Sequence, residues 1–139
     1  MRKLTSKKYL PLLVALLFLG VALYEVSFYI FKTYRAYFNS DAAIANILAE
    51  EIVLSGSLFP SHWWYVNNDL WIFYKQLLVI PWVIIGKNGY FAHAFTVFIS
   101  TVIMVIFMYR FLRSLMLSRA TSVMGGVVVI VGYLAEHHF

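Results

Sequence analysis

Residues 9–31 form an apolar block broken by a single charge, Glu25. A helix with no polar face has nothing to turn toward water, so such a run belongs in a large core or across a bilayer. Its 23 residues would reach about 34 Å as a helix, against a hydrocarbon core of about 30 Å. Further apolar blocks follow at 70–85, 90–109 and 121–134. The 139 residues allow one soluble domain by length, but 63% are hydrophobic and only 12% charged, half the roughly 25% of ordinary proteins. The chain reads as a membrane protein.

A cleavable signal peptide is the rival for the first block, since Gly20-Val21-Ala22 makes a small-x-small site. The apolar run continues through Phe28, Tyr29, Ile30 and Phe31, which favours an uncleaved anchor. There is no cysteine, so neither a disulfide framework nor a thiolate metal site exists. The net charge of +5 comes from 11 Lys and Arg against 6 Asp and Glu. Arg2, Lys3, Lys7 and Lys8 precede the first block, which suits a cytoplasmic face. Outside the apolar blocks there is no basic stripe interleaved with stacking aromatics, and nucleic-acid binding is not expected.

Lys75 and Pro81 interrupt the second block. Gly86-Lys87-Asn88-Gly89 is a tight turn, glycine supplying positive φ and asparagine tolerating it. The fourth block has 14 residues, about 21 Å of helix and short for a span. With four spans and the N-terminus inside, Arg2, Lys3, Lys7, Lys8 and Lys87 lie on the inner side, and Lys32, Arg35, Arg110, Arg113 and Arg119 on the outer. That is a tie. The first helix usually dominates, and its basic flank puts the N-terminus in the cytoplasm and the loop 32–69 outside.

Within that loop, residues 41–54 have helical spacing. Ser40 is the expected cap, and Asp41 falls in the first turn, where the macrodipole favours a carboxylate. Steps of 100° gather Ile44, Ile47, Leu48, Ile52 and Leu54 on an apolar face and set Asn46 and Glu50 opposite it. An amphipathic helix lying on the membrane surface or packing over the bundle is expected. Glu51 falls inside the apolar face, so it must be paired, snorkelled or functional. Ser55-Gly56-Ser57 ends the helix and Pro60-Ser61 turns the chain. Trp63, Trp64 and Tyr65 then read as interfacial anchors, with ligand contact as the alternative.

Two charges sit within spans. Glu25 and Lys75 lie at similar depth from the outer face in this topology, where an ion pair would lower the cost of burying both. Contact of Lys75 with a lipid phosphate, or simple snorkelling, are the other readings. His93, in the third block, reads as a hydrogen-bonded bundle residue.

A helix with a cationic inner flank, then an outer loop opening Phe38-Asn39-Ser40-Asp41-Ala42-Ala43, resembles the start of a GT-C glycosyltransferase. The amphipathic loop helix, Gly56-Ser57-Leu58-Phe59-Pro60, and Asn68-Asp69-Leu70-Trp71 entering the second block continue the likeness. So do the third block and its arginine-rich exit, and the resemblance covers residues 9–134. It implies transfer of a sugar from a polyprenyl-phosphate donor to an extracytoplasmic acceptor. Asp41 would be the catalytic carboxylate, deprotonating the acceptor or helping to hold a divalent metal. Glu50, Glu51, Asp69 and Lys75 would contribute metal, acceptor or phosphate contacts. Such enzymes have many more spans, so the chain would be the N-terminal quarter to third of one and not competent alone. The alternative is a non-enzymatic membrane subunit that assembles with other membrane proteins or aids transport of a lipid-linked substrate. The expected architecture is all-α and polytopic, three to four transmembrane helices with the amphipathic helix in a long extracytoplasmic first loop.

Overall fold

The computed structural model describes residues 6–63 and 73–138, and every regular element among them is helical. Helix α1 (Ser6–Phe28) runs directly into a π-helical turn (Tyr29–Thr33) and a 3-10 turn (Tyr34–Tyr37). Helices α2 (Ser40–Ser55), α3 (Phe73–Ile84), α4 (Tyr90–Ser114) and α5 (Arg119–His138) follow. Two segments, Tyr9–Tyr37 and Tyr90–Ser114, are long and apolar enough to cross a membrane. In the second block, the 12 described residues of α3 give about 18 Å, short of the hydrocarbon core. Leu70 and Trp71 of that block lie outside the described residues. In the fourth, the helix outruns the apolar block at both ends and has 20 residues, about 30 Å.

The chain divides into two compact units, Met1–Tyr29 with Thr101–Phe139, and Ile30–Ser100. In the first, α1 packs along α5, and most inward positions, Ile130 apart, are small or medium-sized. Ala15, Ala22 and Val26 of α1, Val105 of α4, and Ser122, Val123, Val127 and Ile130 of α5 are buried. Large residues face out: Leu13, Leu16, Leu17, Phe18, Ile103, Met104, Ile106 and Phe107 are exposed. Water-soluble helices show the reverse. Small residues inside and bulky apolar ones outside is the distribution expected where lipid is the solvent, because small residues let helix backbones approach. Gly126 shows how close the approach is: a Cβ there would stand 2.8 Å from Val105 Cγ1 and 3.8 Å from Leu19 Cδ1.

The direction of these helices groups the basic residues differently from the expectation. Tyr9, Pro11 and Leu12 line one cavity with Ser118, Arg119 and Ala120, so α1 and α5 start side by side and run parallel. The α4–α5 turn therefore sits at the end where α1 begins. The tie rested on a full span over 70–85, which would have sent residues 110–120 to the opposite side. Arg110, Arg113 and Arg119 instead share an end with Lys7 and Lys8.

In the second unit, Ala49, Val79 and Ala92 form a buried centre joining α2, α3 and α4, with Ile80, Trp82 and Val83 packed against it. The Trp82 ring meets Phe91 at 5.3 Å and Phe95 at 5.2 Å, both edge-on, a favoured aromatic geometry. Asn39, not Ser40, caps α2: its side chain accepts from Ala42 N at 3.0 Å. Ser and Asn are nearly equal as caps, and the extended backbone of Asn39 decides between them.

The face of α2 also differs from the expectation. Ala45, Asn46, Leu48, Ala49 and Ile52 are buried, while Ile47 and Leu54 are exposed. Asn46 is drawn inward because it has a partner. Its Nδ2 donates to Asn88 Oδ1 (2.8 Å) and Gly89 O (3.2 Å), and Asn88 Nδ2 donates back to Asn46 O (3.2 Å) and to Glu50 Oε2 (3.1 Å). The polar pair set opposite the apolar face thus clamps the turn at 86–89.

Three helices end on a left-handed residue: α2 on Gly56 (φ 65), α3 on Gly86 (φ 69) and α4 on Met116 (φ 62). At the last two the amide bonds close paired C-terminal loops, Gly86 N to Val83 O with Lys87 N to Trp82 O, and Met116 N to Arg113 O with Leu117 N to Leu112 O. Glycine suits this position and methionine does not.

Candidate functional site

The second unit carries the residues singled out for chemistry. The 3-10 turn after α1 ends at Tyr37 and the chain bends at Phe38 into the Asn39 cap, so Asp41 stands exposed in the first turn of α2. Glu50 is exposed at the far end of the same helix and engaged by Asn88. Nine residues of helix separate the two carboxylates, about 14 Å along the axis, too far to hold one metal ion together. Glu51 is half-buried, and its carbonyl accepts from Ser55 Oγ at 2.7 Å. Asp69 lies outside the described residues, as do Trp64 and Tyr65. Among the described residues no three acidic or histidine side chains gather to hold a metal ion.

Lys75 is half-buried on α3 and close enough to His93 for its charge to act on the imidazole. Glu25 is exposed on α1, in the other unit. His93 is buried on α4 within an aromatic surround: Phe38 at 4.9 Å between ring centroids, Tyr34 stacked at 6.1 Å and Tyr90 at 6.4 Å. The Tyr90 hydroxyl donates to Ile30 O inside the π-helical turn. A side chain reaching into a helix's own hydrogen-bond ladder is a recognised cause of such a widened turn. The root of the Asp41 loop is thereby fixed to the start of α4, with Phe38 also edge-on to Tyr90 at 5.3 Å.

Sequence reasoning missed this aromatic surround. Part of the signal for it is present: Tyr90 and His93 are three apart and share a face of α4, while Tyr34 and Phe38 are brought together by the 3-10 turn and the bend after it. What the sequence lacks is any mark that the two pairs meet.

Gln76 is fully buried with neither amide atom bonded among the described residues, and buried Thr96 leaves its hydroxyl likewise unpartnered among them. Each such group costs about 1–3 kcal/mol. The second unit therefore holds polar capacity in its interior beside the lysine and histidine. Chemically, the arrangement offers one exposed carboxylate at a helix N-terminus, for proton transfer or cation contact, and a half-buried lysine on α3 near the aromatic surround of a buried histidine.

No family model, no curated protein and no solved structure matches this chain.

Proposed function

We propose that the chain is a membrane segment of GT-C type, the N-terminal portion of an enzyme that transfers a sugar from a polyprenyl-phosphate donor to an extracytoplasmic acceptor. The observation that carries the reading is Asp41. It is an exposed carboxylate, anchored by the Asn39 cap, in the first turn beyond a helix long and apolar enough to span. A general base acting on an acceptor at the bilayer surface needs an accessible carboxylate beside the membrane. The N-terminus is cytoplasmic in this reading, and the basic residues gathered where α1 and α5 begin support it. The bilayer is the solvent of the large exposed side chains, and Lys75 is the phosphate contact.

The test is transfer from a polyprenyl-phosphate sugar by membranes carrying the chain with the remainder of its enzyme. Asp41→Asn is expected to abolish transfer, and Glu50→Gln, which keeps an oxygen acceptor for Asn88, to preserve at least half of it. Full activity of Asp41→Asn would sink the catalytic assignment.

A second reading, a non-enzymatic subunit assembling with other membrane proteins or aiding lipid-linked substrate transport, is favoured by the distance between Asp41 and Glu50. It predicts that Asp41→Asn leaves assembly and transport unchanged.

A further inference from the structure

The connection between α4 and α5 is built unlike the other two helix ends. Leu115, Met116 and Leu117 are all exposed, Met116 at 92%, and they stand in a row between Arg110 and Arg113 on one side and Arg119 on the other. Met116 holds a left-handed backbone that glycine holds at Gly56 and Gly86. In water a bulky apolar residue there has two liabilities, its backbone conformation and its exposure. The charges run against local preference as well. Arg119 is the first residue of α5, where the macrodipole disfavours a cation. Arg113 donates to Leu117 O and closes the turn. This turn lies at the end of the unit where α1 starts, the end that also carries Lys7 and Lys8.

We infer that the α4–α5 turn is a docking surface for anionic phospholipid, its Leu-Met-Leu tip set among the acyl chains and its three arginines on headgroup phosphates. The inference rests on the membrane reading and adds which surface meets the charged leaflet. One occupant answers both the apolar exposure and the charge. Acyl chains bury the tip. A phosphate beside Arg119 is attracted by the guanidinium. The cytoplasmic leaflet carries the anionic lipid, and juxtamembrane arginines are drawn to it. A soluble anion such as inorganic phosphate would satisfy the arginines and leave the apolar tip in water.

The chain contains no cysteine, so Met116→Cys provides a single labelling site. The whole chain is reconstituted in phosphatidylcholine vesicles with or without phosphatidylglycerol. A fluorophore on the introduced thiol is then probed with aqueous iodide and with headgroup-level spin-labelled lipid. Quenching by the lipid label and shielding from iodide are expected. The preference of the chain for spin-labelled phosphatidylglycerol over phosphatidylcholine is measured next. Replacing Arg110, Arg113 and Arg119 by Gln should lower it roughly two- to fivefold per arginine. Iodide quenching in a chain that resists alkaline extraction overturns the docking surface alone. An unchanged lipid preference in the triple variant, or loss of the preference on adding inorganic phosphate at constant ionic strength, overturns it too. A chain that alkali strips from the vesicles overturns the membrane reading and this inference together.

Discussion

Two glycines of α5 separate the demands of packing from those of helix propensity. A Cβ on Gly126 meets Val105 Cγ1 at 2.8 Å, whereas one on Gly132 meets nothing within 4 Å. Valine in a helix has one strongly preferred rotamer, so Val105 cannot swing aside cheaply. Overpacking of this kind costs about 1–3 kcal/mol, partly offset by the gain of about 1 kcal/mol when alanine replaces glycine in a helix. Gly126→Ala is expected to lower the thermal midpoint in detergent and Gly132→Ala to raise it. A Val105→Ala background should remove most of the Gly126 penalty. Equal effects at the two sites would mean that α4 and α5 do not approach at this point.

Helix positions were largely legible in the sequence, because apolar blocks and turn residues mark them. The turn at 86–89 is where its glycines and asparagine put it, and α2 occupies Ser40–Ser55 against an expected 41–54. Faces were less legible. Asn46 and Glu50 lie one turn apart on the polar side of the wheel, which described water equally well as a partner; only the position of Asn88 forty-two residues later decides. The parallel start of α1 and α5 was hidden for the same reason, since it depends on where a 12-residue helix ends up. The site divides likewise: the exposure of Asp41 follows from its place at a helix start, but the surround of His93 needs two distant segments to meet. The clamp gives a prediction of its own. Asn88→Ala removes both donations to α2 and leaves the buried Asn46 amide short of one acceptor, so a loss of about 1–3 kcal/mol is expected in denaturant unfolding in micelles. Glu50→Gln, which retains an oxygen for Asn88 Nδ2, should change stability little. A loss at Glu50→Gln as large as that at Asn88→Ala would show that charge, not geometry, holds the turn.

At the scale of the whole molecule the outward side chains decide what surrounds it. A helix bundle in water gains solubility when an exposed apolar residue becomes lysine; one in a bilayer loses insertion. Ile103 and Phe107 test this cleanly, being exposed, one helical turn apart and near the middle of α4. They also stand far from the N-terminus, so a signal sequence has no bearing on the result. At the centre of a span, lysine costs about 2.5–3.5 kcal/mol where isoleucine or phenylalanine is slightly favourable. The pair Ile103→Lys and Phe107→Lys should therefore cost roughly 6–8 kcal/mol of insertion. That is enough to move α4 out of the bilayer and release much of the chain at alkaline pH. Lysines at Ala92 and Ala94, buried positions of the same helix, would disrupt folding in either solvent and discriminate nothing. If the Ile103, Phe107 double variant is instead more soluble without detergent and keeps its helical circular dichroism, water and not lipid covers these faces. The small-inside packing of α1, α4 and α5 would then need another explanation.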